Sequence, residues 1–417
     1  MIGTFFQQLY NTVDTIIVGQ FVGTEALAAV GTTGTVINLL VGFFVGVASG
    51  ATVIISQYFG ANDRENLSKS VHTSMALAVA GGVVIMVFGI VTARPTMLAM
   101  GVPDDIMDDA VLYMNVYYLG IIGNLIYNIG TGVLRAIGDS RTPVVILVIA
   151  SIINIVLDIV LVVFIPMGVA GAAVATVASQ LIGGVVCLLY VSKHYEVLKM
   201  TREDFKINVP CIKRLLSMGL PMALQTSITA IGSVILQASV NSLGSTVVAS
   251  ITAGSRLYMF FACAYDAMGV TMSTYSGQNI GARKIDRIGQ GVKACNIVGI
   301  IYSVLALLII VFLGKWMLLL FVDAGETAII NSAYWYLVCS GLFMIPLTFV
   351  NVLRLTIQGM GYSRLALFAG VFEMIARGGV GLFLVPLFGF NAACFSGPIA
   401  WILADSFLIP MYYHVIH

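Results

Sequence analysis

Apolar runs of about 20 residues, the length needed to cross the hydrocarbon layer as a helix, recur from one end of the chain to the other. Backbone amides in lipid must find partners within their own segment, so a chain made of such runs is constrained to a bundle of transmembrane helices. Composition agrees. The 417 residues are 59% hydrophobic and 9% charged, where soluble domains carry roughly a quarter charged residues, and the mean hydropathy is +1.01. An all-α membrane protein is expected. Windows of about 19 residues give twelve transmembrane helices, at 1–21, 34–58, 71–92, 110–132, 143–165, 168–191, 215–240, 246–277, 290–313, 329–353, 364–386 and 389–412.

Several classes are excluded at this point. A formal charge of +1 gives no basic face for nucleic acid. Cys187, Cys211, Cys263, Cys295, Cys339 and Cys394 form no CxxC pair, and most lie in apolar runs, so they read as reduced packing residues. The four histidines, His72, His194, His414 and His417, are far apart, and HExxH, GxSxG and P-loop patterns are absent from the sequence. The chain is therefore not expected to be an enzyme or to hold a cofactor. The first residues lack the basic region of a cleavable signal, so 1–21 is expected to belong to the mature protein.

The linkers are short except for residues 190–215, YVSKHYEVLKMTREDFKINVPCIKRL, which separate six spans from six. The expected organisation is an N-terminal six-helix lobe at 1–192, an inter-lobe linker at 193–214 and a C-terminal six-helix lobe at 215–417. Basic residues are retained on the cytoplasmic side. Sixteen of the 20 Lys and Arg fall in alternate connections, among them Arg64, Lys69, Arg135, Arg141, Lys199, Arg202, Lys206, Arg283, Lys284, Arg354 and Arg364. The other connections hold only Arg94 and Lys315, and Arg256 and Arg377 fall within spans. Both termini and the linker are thus expected in the cytoplasm, and the acidic run VPDDIMDDA (102–110) reads as an outer, solvated loop.

The halves repeat. A shift of 221 residues lays QYFGANDRENL (57–67) over QNIGARKIDRI (278–288), Gly23 over Gly244, and GVAGAAV (168–174) over GFNAACF (389–395); a shift of 223 lays LRAIGDSR (134–141) over IQGMGYSR (357–364). Four matches in one order argue for duplication. An even number of spans per repeat gives both lobes the same orientation, the parallel-repeat plan of some secondary transporters.

Polar residues within the spans narrow the function. In the first span Gln7, Tyr10, Asn11 and Asp14 share one helical face. An acid near mid-membrane costs about 2.5–3.5 kcal/mol on insertion scales, so it should face the bundle or a wet cavity. The fifth span repeats the pattern with Ser151, Asn154 and Asp158; the fourth carries Asn124, Asn128 and Thr131; the sixth has Thr176 in a run of small residues. Carboxylate, amide and hydroxyl oxygens suit a small hard cation, and neighbouring carboxylates can share a proton. Asn124, Thr131 and Ser151 read equally as hydrogen-bond glue between helices. The repeat shifts place Ile235 opposite Asp14 and Gly379 or Gly381 opposite Asp158. The second half has its own polar set of Arg256, Asp266, Glu373, Arg377 and Asp405. Of these, Glu373 and Arg377 are spaced to pair on one helix, and Asp266, near Tyr258 and Tyr265, is a candidate contact for a cationic substrate.

With QQLYNTVDTIIVGQFVG and LAAVG at the first span, QYFGAND after the second, LRAIGDSRTP after the fourth, INIVLDIVLV in the fifth, GVAGAAVATVASQ in the sixth and GQNIGAR after the eighth, the chain resembles the multidrug and toxic compound extrusion (MATE) family over essentially its whole length. The resemblance implies a V-shaped pair of six-helix bundles around a central cavity that opens to each side in turn. It also implies that Asp14, Asn154, Asp158 and Thr176, with Asn128 nearby, match the N-lobe constellation that binds Na+ or a proton. Another branch of the family places a carboxylate cluster in the second lobe, where this chain offers Asp266.

The expected activity is antiport. Na+ or H+ entering the Asp14/Asp158 site drives export of an amphipathic, cationic drug or toxic metabolite, with Gln7, Asn11, Tyr258 and Asp266 as cavity contacts. The expected setting is the cell membrane, the partners are a small organic substrate, the coupling ion and the bilayer, and the assembly is a monomer. The alternative is a flippase for a lipid-linked saccharide, whose pyrophosphate would call for basic residues in the cavity, where only Arg256 and Arg377 lie within the expected spans.

Overall fold

The computed structural model describes residues 13, 17–22, 24–100, 102, 104–195, 208–322 and 325–416. Two compact units are formed, Met1–Leu220 and Pro221–His417.

The first unit contains α1 (Thr24–Gly60), α2 (Arg64–Ala99), α3 (Asp104–Leu119), α4 (Ile121–Ala136), α5 (Arg141–Asp158) and α6 (Gly168–His194). A π-helical turn at Val18–Val22 precedes α1, and another at Ile159–Phe164 continues α5. Helix α7 (Val209–Asn241) carries the division between the units. The second unit continues with α8 (Ser245–Gly281), α9 (Ile285–Leu318), α10 (Thr327–Leu342), α11 (Met344–Gly359), α12 (Ser363–Gly379) and α13 (Phe390–Ile416). Here too a π-helical turn, Val380–Leu384, follows α12. No strand occurs among the described residues.

Nine of the described helices are long and apolar enough to cross a bilayer, and eleven spans result when each of two bent pairs is counted as one. These pairs are α3 with α4, bent by 49°, and α10 with α11, bent by 54°. The eleven coincide with eleven of the twelve expected spans, and most of the expected 1–21 span lies outside the described residues. Large apolar side chains such as Val84, Phe88 and Val91 on α2 and Ile301, Phe312 and Trp316 on α9 are exposed, as lipid-facing surface should be. Cores form inside each unit, around Met97, Met114, Ile121 and Leu134 in the first and Leu257, Tyr265, Ile310 and Trp401 in the second.

The duplication extends to backbone conformation. Helices α1–α6 and α8–α13 begin 221 to 223 residues apart, as the sequence shifts require. Positive φ recurs in register at Asn62 (55°) and Arg283 (58°), Gly138 (94°) and Gly361 (106°), and Gly168 (61°) and Gly389 (59°). The quoted motifs are therefore tight turns between spans. In LRAIGDSR, Gly138 supplies the left-handed conformation. Asp139 then accepts from the backbone N–H groups of Arg141 and Thr142 at 3.1 and 3.0 Å and from the Thr142 hydroxyl at 2.6 Å, which starts α5. In QYFGAND, Asp63 accepts from the Asn66 side chain at 2.7 Å and its backbone N–H at 3.1 Å. Those bonds cap α2 and hold the Asp63 carboxyl below the ordinary carboxylate range.

Two expectations change. From Asp104 onward the acidic run is helix rather than loop: Asp104 and Asp105 occupy the first turn of α3, where carboxylates oppose the positive end of the helix dipole. Asp108 pairs with Arg94 at 3.3 Å. Arg354 is not in a connection either, because α11 runs on to Gly359 and carries it inside the second unit.

Close helix approach depends on small residues. A Cβ at Gly50 of α1 would overlap the backbone of Gly219 on α7, and one at Gly219 would lie 2.9 Å from Val47 Cα. Gly50→Ala should therefore destabilise the first unit by about 1–3 kcal/mol, as overpacking does. Thermal unfolding of the purified protein should read a lower midpoint, and an unchanged midpoint would contradict this packing.

Candidate ion and substrate sites

Helix α5 presents one polar face. Ser151, Asn154 and Asp158 are buried, with Asn154 1% exposed and Asp158 0%. They lie on one stripe because residues three, four and seven apart share a helix face. The chain then widens into the π-helical turn Ile159–Phe164 directly after Asp158, a distortion that often accompanies functional positions.

Helix α6 packs against α5 and brings a second polar stripe, Thr176, Ser179 and Gln180. Thr176 is buried at 5% exposure. A cavity of about 110 Å³ is lined by Asn124, Tyr127, Asn128, Ser151, Asn154, Ser179 and Gln180. Gln180 accepts from the Asn124 side chain at 3.0 Å, which ties α4 to α6. Asn128 is held by the Asn124 carbonyl and side-chain oxygen at 2.8 and 2.9 Å. Asn124 thus acts as interhelical glue, whereas Thr131 and Ser151 donate to their own helices, at Asn128 O (3.1 Å) and Leu147 O (2.8 Å).

Both polar atoms of the Asn154 amide and the Thr176 hydroxyl are buried without a hydrogen-bond partner among the described residues. Such groups ordinarily carry a cost of about 1–3 kcal/mol, so a ligand at this place would relieve it. With the fully buried Asp158, one turn beyond Asn154 on α5, they make up a set of one carboxylate and two neutral oxygens, a donor chemistry that suits Na+, and Asp158 alone suits a proton. Among the described residues no group of three or more His, Cys, Asp or Glu forms a metal centre.

Gln7, Asn11 and Asp14 lie outside the described residues. The chain is described again from Ile17 to Val22. Ile17 and Val18 are buried, and the turn Val18–Val22 packs on the turn Ile159–Phe164 that follows Asp158. Sequence reasoning passed over Ser179 and Gln180, although their spacing from Thr176, three and four residues, carried the signal.

The second unit fills the equivalent region with charge. A shift of 222 places Glu373 where the first unit has Ser151, and 223 places Asn351 and Arg354 where it has Asn128 and Thr131. Glu373 is 3% exposed and accepts from Arg354 at 2.9 Å, while Arg377 lies 3.6 Å from its other oxygen. The Glu373–Arg377 pair expected within one helix is present, but the shorter contact comes from α11. Arg354 also reaches Asn351 at 3.0 Å, Arg377 donates to Ser233 at 2.7 Å, and Gln358 donates to Gln225 at 2.6 Å. Asp405 is 8% exposed on α13. Asp266 is exposed on α8, and Tyr258 is half-buried with its ring 6.0 Å from that of Trp401.

Comparison with known proteins agrees with this architecture. The chain is 28% identical over 335 residues to the "Probable multidrug resistance protein YoeA" of Bacillus subtilis, covering 78% of this chain and 72% of that protein. It is 25% identical over 286 residues to an "FAD transporter" of Shewanella oneidensis, covering 67% of this chain and 63% of that protein. Among solved structures, an outward-facing multidrug resistance MATE family transporter of the MOP superfamily superposes with a TM-score of 0.93 at 23% identity, covering 100% of this chain and 93% of the other. A MOP superfamily transporter from Pyrococcus furiosus superposes at 0.91 and 22% identity, covering 100% and 94%. The MatE family model matches residues 1–160 and 221–382, two stretches in the same register as the internal repeat. Matched in both halves, the chain belongs to the MatE family of multi-pass membrane transporters.

Proposed function

We propose that this transporter is a cation-driven antiporter of the cell membrane that exports amphipathic organic cations, drugs among them, in exchange for Na+ or H+. The observation that carries the reading is the buried Asn154 amide and Thr176 hydroxyl, without partners among the described residues, on the two packed helices of which α5 also carries the fully buried Asp158. The multidrug resistance name of the Bacillus subtilis relative supports the substrate class.

Coupling requires the ion to bind two conformations unequally, since equal affinity shifts nothing. An ion or proton on Asp158 cancels a buried charge and changes how α5 and its π-helical turn pack against α6 and Val18–Val22. Asp14, four residues before Val18 in the sequence, supplies the second carboxylate. Exposed Asp266 supplies an anionic contact for the substrate. Export of a lipid-linked or nucleotide anion fits less well, because the buried arginines Arg354 and Arg377 are both engaged by Glu373. Both termini are placed in the cytoplasm by the distribution of Lys and Arg, with the ion entering from outside.

The test is transport in proteoliposomes under separately imposed Na+ and pH gradients, across a panel of organic cations and one nucleotide anion. Cation movement driven by one of the two gradients is the expected result. Gradient-independent movement, or transport of the anion alone, would contradict the reading.

A further inference from the structure

A groove of about 620 Å³ opens on the flank of the second unit, between the start of α9 and the end of α13. One wall is a single stripe of α9: Asp286, Gly289, Lys293, Asn296, Ile297 and Ile300. The other wall is Tyr412, Tyr413 and Ile416. At Gly289 a Cβ would lie 4.0 Å from both Tyr412 Oη and Ile416 Cδ1, in ordinary contact with both, so the two walls face each other there and a larger side chain would fill the space between them.

The order of chemistry along this stripe is informative. Helix α9 starts beside the exposed polar residues Arg283, Lys284 and Arg287 and becomes apolar toward Phe312, so its first turns lie at the membrane surface and later turns lie deeper. The paired tyrosines on α13, with ring centroids 5.7 Å apart, belong to the same interfacial level. From the surface inward the groove therefore presents a carboxylate, an ammonium, an amide and then aliphatic wall. Asp286 and Lys293 are two turns apart, about 10.5 Å along the axis, and neither forms an ion pair among the described residues. Helical side chains tilt toward the N-terminus, so the Lys293 stem runs toward the surface and its ammonium lies between the levels of Asp286 and Asn296. The Asn296 side-chain oxygen is buried and has no partner among the described residues.

We propose that this groove holds one phospholipid of the ethanolamine class. Read inward, such a lipid is an ammonium, a phosphate, glycerol esters and acyl chains, the complement of Asp286, Lys293, Asn296 and the Ile297/Ile300 wall in the same sequence. Asp286 accepts hydrogen bonds from the primary ammonium, Lys293 neutralises the phosphate, and the half-buried Asn296 marks the level of the glycerol esters. A phosphatidylcholine headgroup has no N–H to give Asp286, and a phosphatidylglycerol headgroup sets no cation against it. The site is particular to the second repeat. At the positions equivalent to Lys293 and Asn296 the first unit has His72 and Met75, both buried.

Native mass spectrometry of the full chain, titrated with phosphatidylethanolamine, phosphatidylcholine and phosphatidylglycerol of matched acyl chains, tests the assignment. Phosphatidylethanolamine should bind about tenfold more tightly than the other two, the factor that one charge-assisted contact is worth. Asp286→Asn should erase the preference while leaving phospholipid binding, Lys293→Gln should weaken all three lipids, and Gly289→Leu should close the groove to each. Asp286 and Lys293 are exposed, so these two variants should keep the wild-type unfolding temperature. Equal binding of the three lipids, no effect of Asp286→Asn, or a second copy of the chain occupying the groove would overturn the proposal.

Discussion

Asp158→Asn is expected to abolish ion-driven export while the protein still inserts and folds. The substitution keeps shape and most hydrogen-bonding capacity but removes the charge on which Na+ or H+ binding depends. Insertion should be at least as favourable as before, because burying a neutral amide costs less than burying a carboxylate. Coupling between ion and substrate sites is typically worth roughly 5- to 150-fold in affinity, and this factor should vanish. Asp14→Asn should behave in the same way, and the double variant should be little worse than either single one, since residues of one site act as a unit. Asn154→Ala and Thr176→Ala remove neutral ligands only, so they should weaken the ion's apparent affinity and leave export intact at high ion concentration. Ile235 is the control at the position equivalent to Asp14. It is half-buried near Gly378, and Ile235→Val should transport normally. The account fails if Asp158→Asn exports at the wild-type rate under a gradient, or if its only defect is failure to reach the membrane.

Glu373→Gln should be the most damaging of the predicted changes to stability. The Glu373 side chain is 5% exposed and holds Arg354 and Arg377, whose side chains are 19% and 21% exposed. Removing one partner of a buried pair leaves an uncompensated charge and costs about 3–5 kcal/mol. Replacing both partners with apolar groups of similar size is often close to neutral, so Glu373→Leu with Arg354→Met should cost less than Glu373→Gln alone. Arg377 can meanwhile keep its bond to the exposed Ser233. Unfolding midpoints in detergent give the comparison. A double variant as unstable as the sum of its two single changes would show that the charges are not coupled.

The repeat was legible because its punctuation is chemical. Gly138 and Gly361, Gly168 and Gly389, and Asn62 and Arg283 occupy turns whose backbone needs positive φ, and short motifs around such residues survive where the apolar residues of the spans interchange freely. Helix ends were less legible. Hydropathy stops at the first charges, whereas α3 begins on Asp104 and Asp105 because an N-terminal turn accepts carboxylates, and α11 runs past Arg354 because Glu373 of another helix neutralises it. Bends at Gly120 and Phe343 and the π-helical turn after Asp158 depend on packing against neighbours and leave no local pattern. On the candidate site, the Asn154–Asp158 stripe follows from helical spacing alone. The Asn124–Gln180 bond and the exchange of Ser151 for Glu373 between repeats need the tertiary arrangement, since each involves side chains far apart in sequence.

Ion release on substrate binding tests the central claim most directly. Purified wild-type protein, loaded with Na+ at fixed pH or protonated in weakly buffered solution, would be titrated with an organic cation such as tetraphenylphosphonium while free Na+ and pH are recorded. The account predicts that wild-type protein releases one of the two ions as the organic cation binds, and that Asp158→Asn binds the organic cation with no release. Equal release from the wild type and from Asp158→Asn would place the coupling ion elsewhere and contradict the account.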